Sequence, residues 1–158
     1  MTRENWFGAD AEAYEASFYY KLDEIVFQGL KNDMDIPLLA LAALQDRAQA
    51  SFLFAPEMCF FKEEEDQKPW MEADLLCIPD GILTVGEVKS AATIANTSAE
   101  EKASLIKYRE LANKLGARQV VFATGSNGWN SSTQTNIESV FKSSGIAVQI
   151  LTASELFG

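Results

Sequence analysis

The stretch Glu72–Ser90, EADLLCIPDGILTVGEVKS, decides how this chain is read. It starts as an alternating strand, breaks at Pro79-Asp80-Gly81 and resumes as a second strand ending in Glu87-Val88-Lys89. Asp-Gly is a strong signal for a two-residue hairpin turn, because both residues tolerate positive φ. With Asp80-Gly81 as the turn, Pro79 faces Ile82, Asp74 faces Glu87 and Glu72 faces Lys89. Residues directly opposite in an antiparallel pair share a face, with Cβ atoms ~5 Å apart. A three-residue turn with a bulge at Gly81 is the competing geometry, and a one-residue slip would send Glu87 to the face opposite Asp74. The functional reading therefore carries a structural expectation: Asp74, Glu87 and Lys89 share one face.

Two carboxylates held this close repel one another. The arrangement makes sense if a divalent cation sits between them, since hard cations take carboxylate oxygens and keep several waters. Without a metal, one carboxylate holds a raised pKa or leans on Lys89. The bland alternative is a surface hairpin with a Glu72–Lys89 ion pair and a solvated Asp74, but such exposed pairs contribute little.

Outward from the hairpin, the pattern predicts helices over 10–31 and 38–50, with Pro37 in the first turn of the second. Residues 51–61 read as an aromatic-rich strand, with Pro56 marking an edge or bulge. The run KEEEDQKP, 62–69, reads as a solvated turn, and the hairpin strands cover 70–78 and 82–89. Ser98 with Glu101 reads as a capping box opening a helix to Leu115, which Gly116 ends. A buried strand at 118–124, a helix at 135–143, a strand at 146–151 and a short helical tail complete the chain. The expected fold class is α/β: one domain over 1–158, with N-terminal helices in 10–50 and a mixed sheet flanked by helices in 51–158.

Composition narrows the chemistry. There is no histidine, which excludes a Ser-His-Asp triad, a Cys-His pair and an imidazole-bound zinc. Cys59 and Cys77 lack metal-ligand spacing and read as two buried thiols. The longest apolar run, 36–44, is far too short to span a bilayer, and the N-terminus has no signal-like segment, so a cytoplasmic protein without membrane contact is expected. The net charge of −10 argues against a general nucleic-acid binder, because phosphate contacts need basic surface.

Asp74, a spacer, then Glu87-Val88-Lys89 on a strand–turn–strand resembles the PD-(D/E)xK nuclease superfamily, the restriction-endonuclease-like fold. The resemblance implies an αβββαβ core, with the acid on the second core strand and ExK on the third, here extended by a C-terminal helix and strand. The literal Pro79-Asp80 is a decoy, since it lies in the turn. What the resemblance implies is a nuclease: metal-assisted hydrolysis of a phosphodiester, in DNA rather than RNA, in defence, repair or mobile-element processing. Asp74, Glu87 and the Val88 carbonyl would hold Mg²⁺ or Mn²⁺, Lys89 would position or help deprotonate the attacking water, and Glu72 would orient Lys89 or contribute to the metal. Many members add a glutamate from the first helix, for which Glu15 and Glu24 are candidates, along with Glu12.

Lys107, Lys114 and Arg118 fall in a narrow arc of the 98–115 helix and its extension, a candidate strip for a phosphate backbone; a solvated face with Glu110–Lys114 pairing is the alternative. Trp129 reads as an anchor for its loop or as a stacking residue. The acidity leads to two further expectations. One is a partner protein or domain that supplies targeting, with a homodimer required for double-strand cuts. The other is a rival function: a nuclease-like fold serving as an assembly module with little catalysis.

Overall fold

The Asp80-Gly81 turn closes as the dipeptide predicts. A computed structural model describes residues 34–55 and 57–158. In it Asp80 and Gly81 have φ of 49° and 82°, and the Ile82 N–H donates to the Pro79 carbonyl at 2.9 Å. This is a two-residue turn with both central residues left-handed. The Asp80 carboxylate also accepts the N–H groups of Gln49 (2.8 Å), Ala50 (2.7 Å) and Ser51 (2.9 Å). These bonds hold its pKa below the usual carboxylate value and tie the turn to the preceding helix–strand connection. The decoy aspartate is thus a structural clamp.

The turn joins β4 (Leu75–Pro79) to β5 (Thr84–Lys89), with Leu75 opposite Gly86, Leu76 opposite Val85 and Cys77 opposite Thr84. Before them come helix α1 (Asp35–Arg47) and strands β1 (Phe52–Ala55), β2 (Met58–Phe60) and β3 (Met71–Ala73). After them come α2 (Ser98–Leu115), β6 (Gln119–Thr124), α3 (Ser131–Phe141), β7 (Ala147–Leu151) and α4 (Ala153–Leu156). The central sheet runs β1-β4-β5-β6-β7; β4 is antiparallel to β1 and β5, while β5, β6 and β7 are parallel. β2 and β3 form a separate two-stranded antiparallel sheet.

Helices cover both faces. Ile36, Ala40 and Leu44, four residues apart, bury one face of α1 against Leu75, Cys77, Val88, Val121 and Leu151. Leu105, Tyr108, Leu111 and Ala112 bury one face of α2 against Val85, Val120 and Phe122 on the other side of the sheet. Gly86 is required where β5 meets β6, since a Cβ there would lie 2.7 Å from the Val121 carbonyl oxygen. The order α1, β1, β4, β5, α2, β6 follows the expected αβββαβ, with the β2–β3 sheet as an insertion.

Several expectations need correction. The strand expected over 51–61 is two strands, and the strand expected over 70–78 is divided at Asp74. The helix expected from residue 38 begins at Asp35, and the one expected from 135 begins at Ser131, capped by the Asn130 side chain, which accepts from Thr133 N–H at 2.7 Å. The α2 capping box is Thr97 with Glu100, one residue earlier than read, and Gly116 ends the helix with φ of 70°. Glu101 is instead buried and accepts from Ile94 N–H, Thr133 Oγ1 and the Asn136 amide. Cys77 is buried, its thiol pushed up to about 11 by desolvation, but Cys59 is exposed, because its strand turns that side chain outward. The 10–31 helix, Glu12, Glu15, Glu24 and Pro56 lie outside the described residues. Among the described residues, no helix is long and apolar enough to cross a membrane.

Candidate functional site

Asp74 sits where the chain changes sheets. Side chains of a strand alternate between faces, so Ala73 and Leu75 belong on one face of a regular strand. They do not: Ala73 packs with the α2 core and Leu75 with the α1 core. The bend at Asp74 resets the phase, letting β3 leave to pair with β2. Continuing the β4–β5 register past Leu75–Gly86 would bring Asp74 opposite Glu87 and Ala73 opposite Val88. Instead the Val88 N–H donates to Asp74 Oδ2 at 2.8 Å. The aspartate carboxylate has taken the ladder position that the main chain left.

Along β5, Val85 and Glu87 point to the α2 face and Val88 to the α1 face. Glu87 is only 8% exposed. Lys89 Nζ contacts Glu87 Oε1 and lies 3.8 Å from Asp74 Oδ2. The expectation that Asp74, Glu87 and Lys89 meet on one face is met. Tyr108, fully buried on α2, places its hydroxyl between Glu87 Oε2 and the Glu72 carbonyl oxygen, 3.1 Å away. A hydroxyl has one proton, and the carboxylate is the stronger acceptor of it.

The electrostatics follow from this burial. Desolvation, then the charge of Asp74, raises the Glu87 pKa, while Lys89 and the Tyr108 hydrogen bond act against the rise. Burial acts to lower the Lys89 pKa, but the charge and hydrogen bond of Glu87, joined by Asp74 and Glu57, outweigh it, and the net shift is upward. Desolvation and the two carboxylates push the Tyr108 phenol well above its ordinary value, so it stays a donor.

A cavity of about 310 Å³ opens over this group, lined by Asp74, Glu87, Lys89, Tyr108, Ser104, Lys107, Trp70 and Glu72 among others. Glu72 is not opposite Lys89 as read: it belongs to β3, faces Cys59 and is exposed, contributing its carbonyl and a place on the cavity wall. Lys107 lines the cavity and donates to the Trp70 carbonyl at 3.1 Å. Lys114 is not paired with Glu110 but lies over the Trp70 ring, 4.6 Å from its centroid. Arg118 is set apart, because its N–H donates to the carbonyl of Leu83, just before β5 and at the end remote from Lys89. Trp129 is buried with its indole N–H 3.4 Å from the Phe122 carbonyl oxygen, an anchor for its loop.

Tyr108 and Trp70 were missed. Tyr108 occupies an apolar stripe position, which reads as core; that it stands against a buried glutamate emerges only in the packed fold.

The oxygen set suits a hard cation of limited appetite. Among the described residues, no group of three or more His, Cys, Asp or Glu side chains could hold a metal. The oxygens that could face a cation here are those of the Asp74 and Glu87 carboxylates and the Val88 carbonyl. Main-chain groups of successive strand residues point to opposite edges. Lys89 directs its carbonyl to Gly125 on the β6 side, and Val88 directs its N–H to Asp74, so the Val88 carbonyl faces Asp74 as well. Two carboxylates and a carbonyl fit Mg²⁺, which keeps several waters and completes its shell with substrate phosphate. No protein-family model matches the sequence, and comparison with curated proteins finds no match.

Proposed function

We propose that this chain is a metal-dependent nuclease of the PD-(D/E)xK type, hydrolysing phosphodiester bonds in nucleic acid, DNA rather than RNA, as a cytoplasmic protein of defence, repair or mobile-element processing. The observation that carries the reading is the convergence of Asp74, Glu87 and Lys89 at the end of β5, in a cavity, with Glu87 buried. Burying one carboxylate beside a second costs free energy that packing alone does not require, even where Lys89 and Tyr108 offset part of it. Pairs of titratable groups shifted by burial and by one another mark functional sites.

Asp74, Glu87 and the Val88 carbonyl would hold Mg²⁺ or Mn²⁺. When bound, the ion would supply Lewis-acid stabilisation of charge on the phosphate and a more acidic water. The chain's own part is positional. The Val88 N–H fixes Asp74, and Tyr108 and Lys89 fix both oxygens of Glu87. Each carboxylate oxygen has two lone pairs, so a cation can share oxygens that already accept a hydrogen bond. Lys89, protonated and set between the two acids, orients the attacking water and meets the charge that develops on the phosphoryl oxygens. A targeting partner and a homodimer remain part of this reading.

The second reading, an assembly module, is favoured by one observation: Lys89 and Tyr108 already satisfy Glu87 without any metal. A cleavage assay decides. Supercoiled plasmid, single-stranded DNA and RNA are incubated with Mg²⁺, Mn²⁺ or EDTA, beside Asp74→Ala and Lys89→Ala. Metal-dependent cleavage lost in both variants supports the nuclease. Cleavage equal in the variants, or no cleavage together with no calorimetric heat on adding Mn²⁺, refutes it.

A further inference from the structure

The acidity of the chain is not uniform around this cavity. Trp70, on the cavity wall, collects three lysines: Lys114 Nζ lies 4.6 Å and Lys62 Nζ 5.7 Å from its ring centroid, and Lys107 Nζ donates to its carbonyl. Two elements bring them together. The Trp70 N–H bonds the Phe60 carbonyl at 2.8 Å, extending the β2–β3 pairing, so that Lys62 and Trp70 stand at its open end. Lys107 and Lys114 are seven residues apart on α2, two turns along one face, about 10 Å. Along the duplex axis each strand carries one phosphate per ~3.4 Å of rise, so this span covers about three base steps of axial rise.

Three ammonium groups around one indole repel one another. Among the described residues none of the three makes an ion pair. The acids that follow Lys62, Glu63–Asp66, form their own turn, in which Asp66 accepts the Glu63 N–H, and Glu110, between Lys107 and Lys114, makes no ion pair among the described residues. In a chain with a net charge of −10, lysines gathered beside a cavity and without an ion pair among the described residues offer a local anion site.

We propose that Lys62, Lys107 and Lys114, organised on Trp70, form the phosphate-backbone contact that leads a nucleic-acid strand into the Asp74–Glu87–Lys89 cavity. This rests on the nuclease reading for the identity of the anion, but it concerns binding and not cleavage. The cluster replaces the strip that included Arg118, which lies at the other end of β5.

The test is fluorescence anisotropy with the full chain in EDTA, using a dye-labelled single-stranded DNA about 20 nucleotides long and the matching duplex. Lys62→Gln/Lys114→Gln is compared with Arg118→Gln/Lys142→Gln, which removes the same charge elsewhere; circular dichroism checks that both fold. The expected result is a roughly tenfold loss of affinity in the first pair and less than about twofold in the second, with the salt slope reduced by about 1.5 to 2 in the first pair only. Equal losses in the two pairs overturn the proposal, as does a wild type that binds neither DNA. Heparin bound as tightly as DNA, with the same loss, would mean a general polyanion patch and overturns the assignment to nucleic acid. Absent cleavage with lysine-dependent DNA binding intact would count against the nuclease reading and leave this one standing.

Discussion

Replacing Lys89 with methionine tests the electrostatics of the site without touching either acid. Methionine keeps much of the aliphatic stem and removes the ammonium, leaving Glu87 buried beside Asp74 with Tyr108 as its remaining side-chain donor. Removing one partner of a fully buried pair costs about 3–5 kcal/mol, and of an exposed pair about 0–1 kcal/mol. Here the glutamate side chain is 10% exposed and the lysine side chain 37%, so solvent screens one partner and not the other. The expected destabilisation is about 1–2 kcal/mol at about pH 8. The loss must depend on pH. The folded-state Glu87 pKa is already raised, and it rises further when the ammonium is gone. A carboxyl with a raised folded pKa contributes stability that is intact below its unfolded pKa and is lost as pH rises through the folded one. The variant should therefore approach the wild type in acid, where Glu87 takes up a proton, and fall behind as pH rises through its raised folded pKa. Urea unfolding of the full chain in EDTA at several pH values measures this. A deficit that is constant with pH, or larger at the acidic end, would falsify the account of Glu87 as a desolvated acid held charged by Lys89.

Three further outcomes are expected. Tyr108→Phe should cost about 1–2 kcal/mol in urea unfolding, because it leaves a buried carboxylate short of one donor, and calorimetry should find weaker Mn²⁺ binding; unchanged values in both would mean that Tyr108 is simply core. Gly86→Ala should destabilise by about 1–3 kcal/mol, since the added Cβ meets Val121 backbone that no side-chain rotation can clear, and a variant as stable as the wild type would refute the close β5–β6 approach. Asp80→Ala should lower the melting temperature at neutral pH by removing the acceptor for three N–H groups. Because the Asp80 pKa is depressed, this stabilisation is present above the unfolded pKa and lost as pH falls through the folded one, so the melting curves should converge in acid.

The hairpin was legible in the sequence because its information is local. Asp80-Gly81 selects a two-residue turn through φ alone, and the turn fixes the register. That the acids and Lys89 share a face followed from counting. Helix α2 was legible for the same reason, apart from its cap: Thr97 and Ser98 both have hydroxyls with an acid three residues on, and nothing within the segment chooses between them. Glu101 is instead drawn into the core by Ile94 in the preceding loop and by Thr133 and Asn136, which lie beyond α2 and β6 in the chain.

Glu72 shows where counting stops. It would face Lys89 only if the strand ran on unbroken, but the chain bends at Asp74 to pair with β2. The two lysines assigned to a helical strip turned out to belong to a cluster around Trp70, and Arg118 did not, because Gly116 ends the helix between them.

The sequence by itself determined the chemistry available to this protein: carboxylates, lysines and hydroxyls without imidazole, a turn that aligns two acids, and the periodicities that make an α/β fold. Those properties reside in residue types and in dihedral preferences that act over a few residues. The tertiary structure alone decided the phase change at Asp74, the burial of Glu87 against Tyr108 and the gathering of lysines on Trp70. Desolvation and charge convergence depend on which distant segments pack together, and that is a property of the whole fold rather than of any stretch of chain.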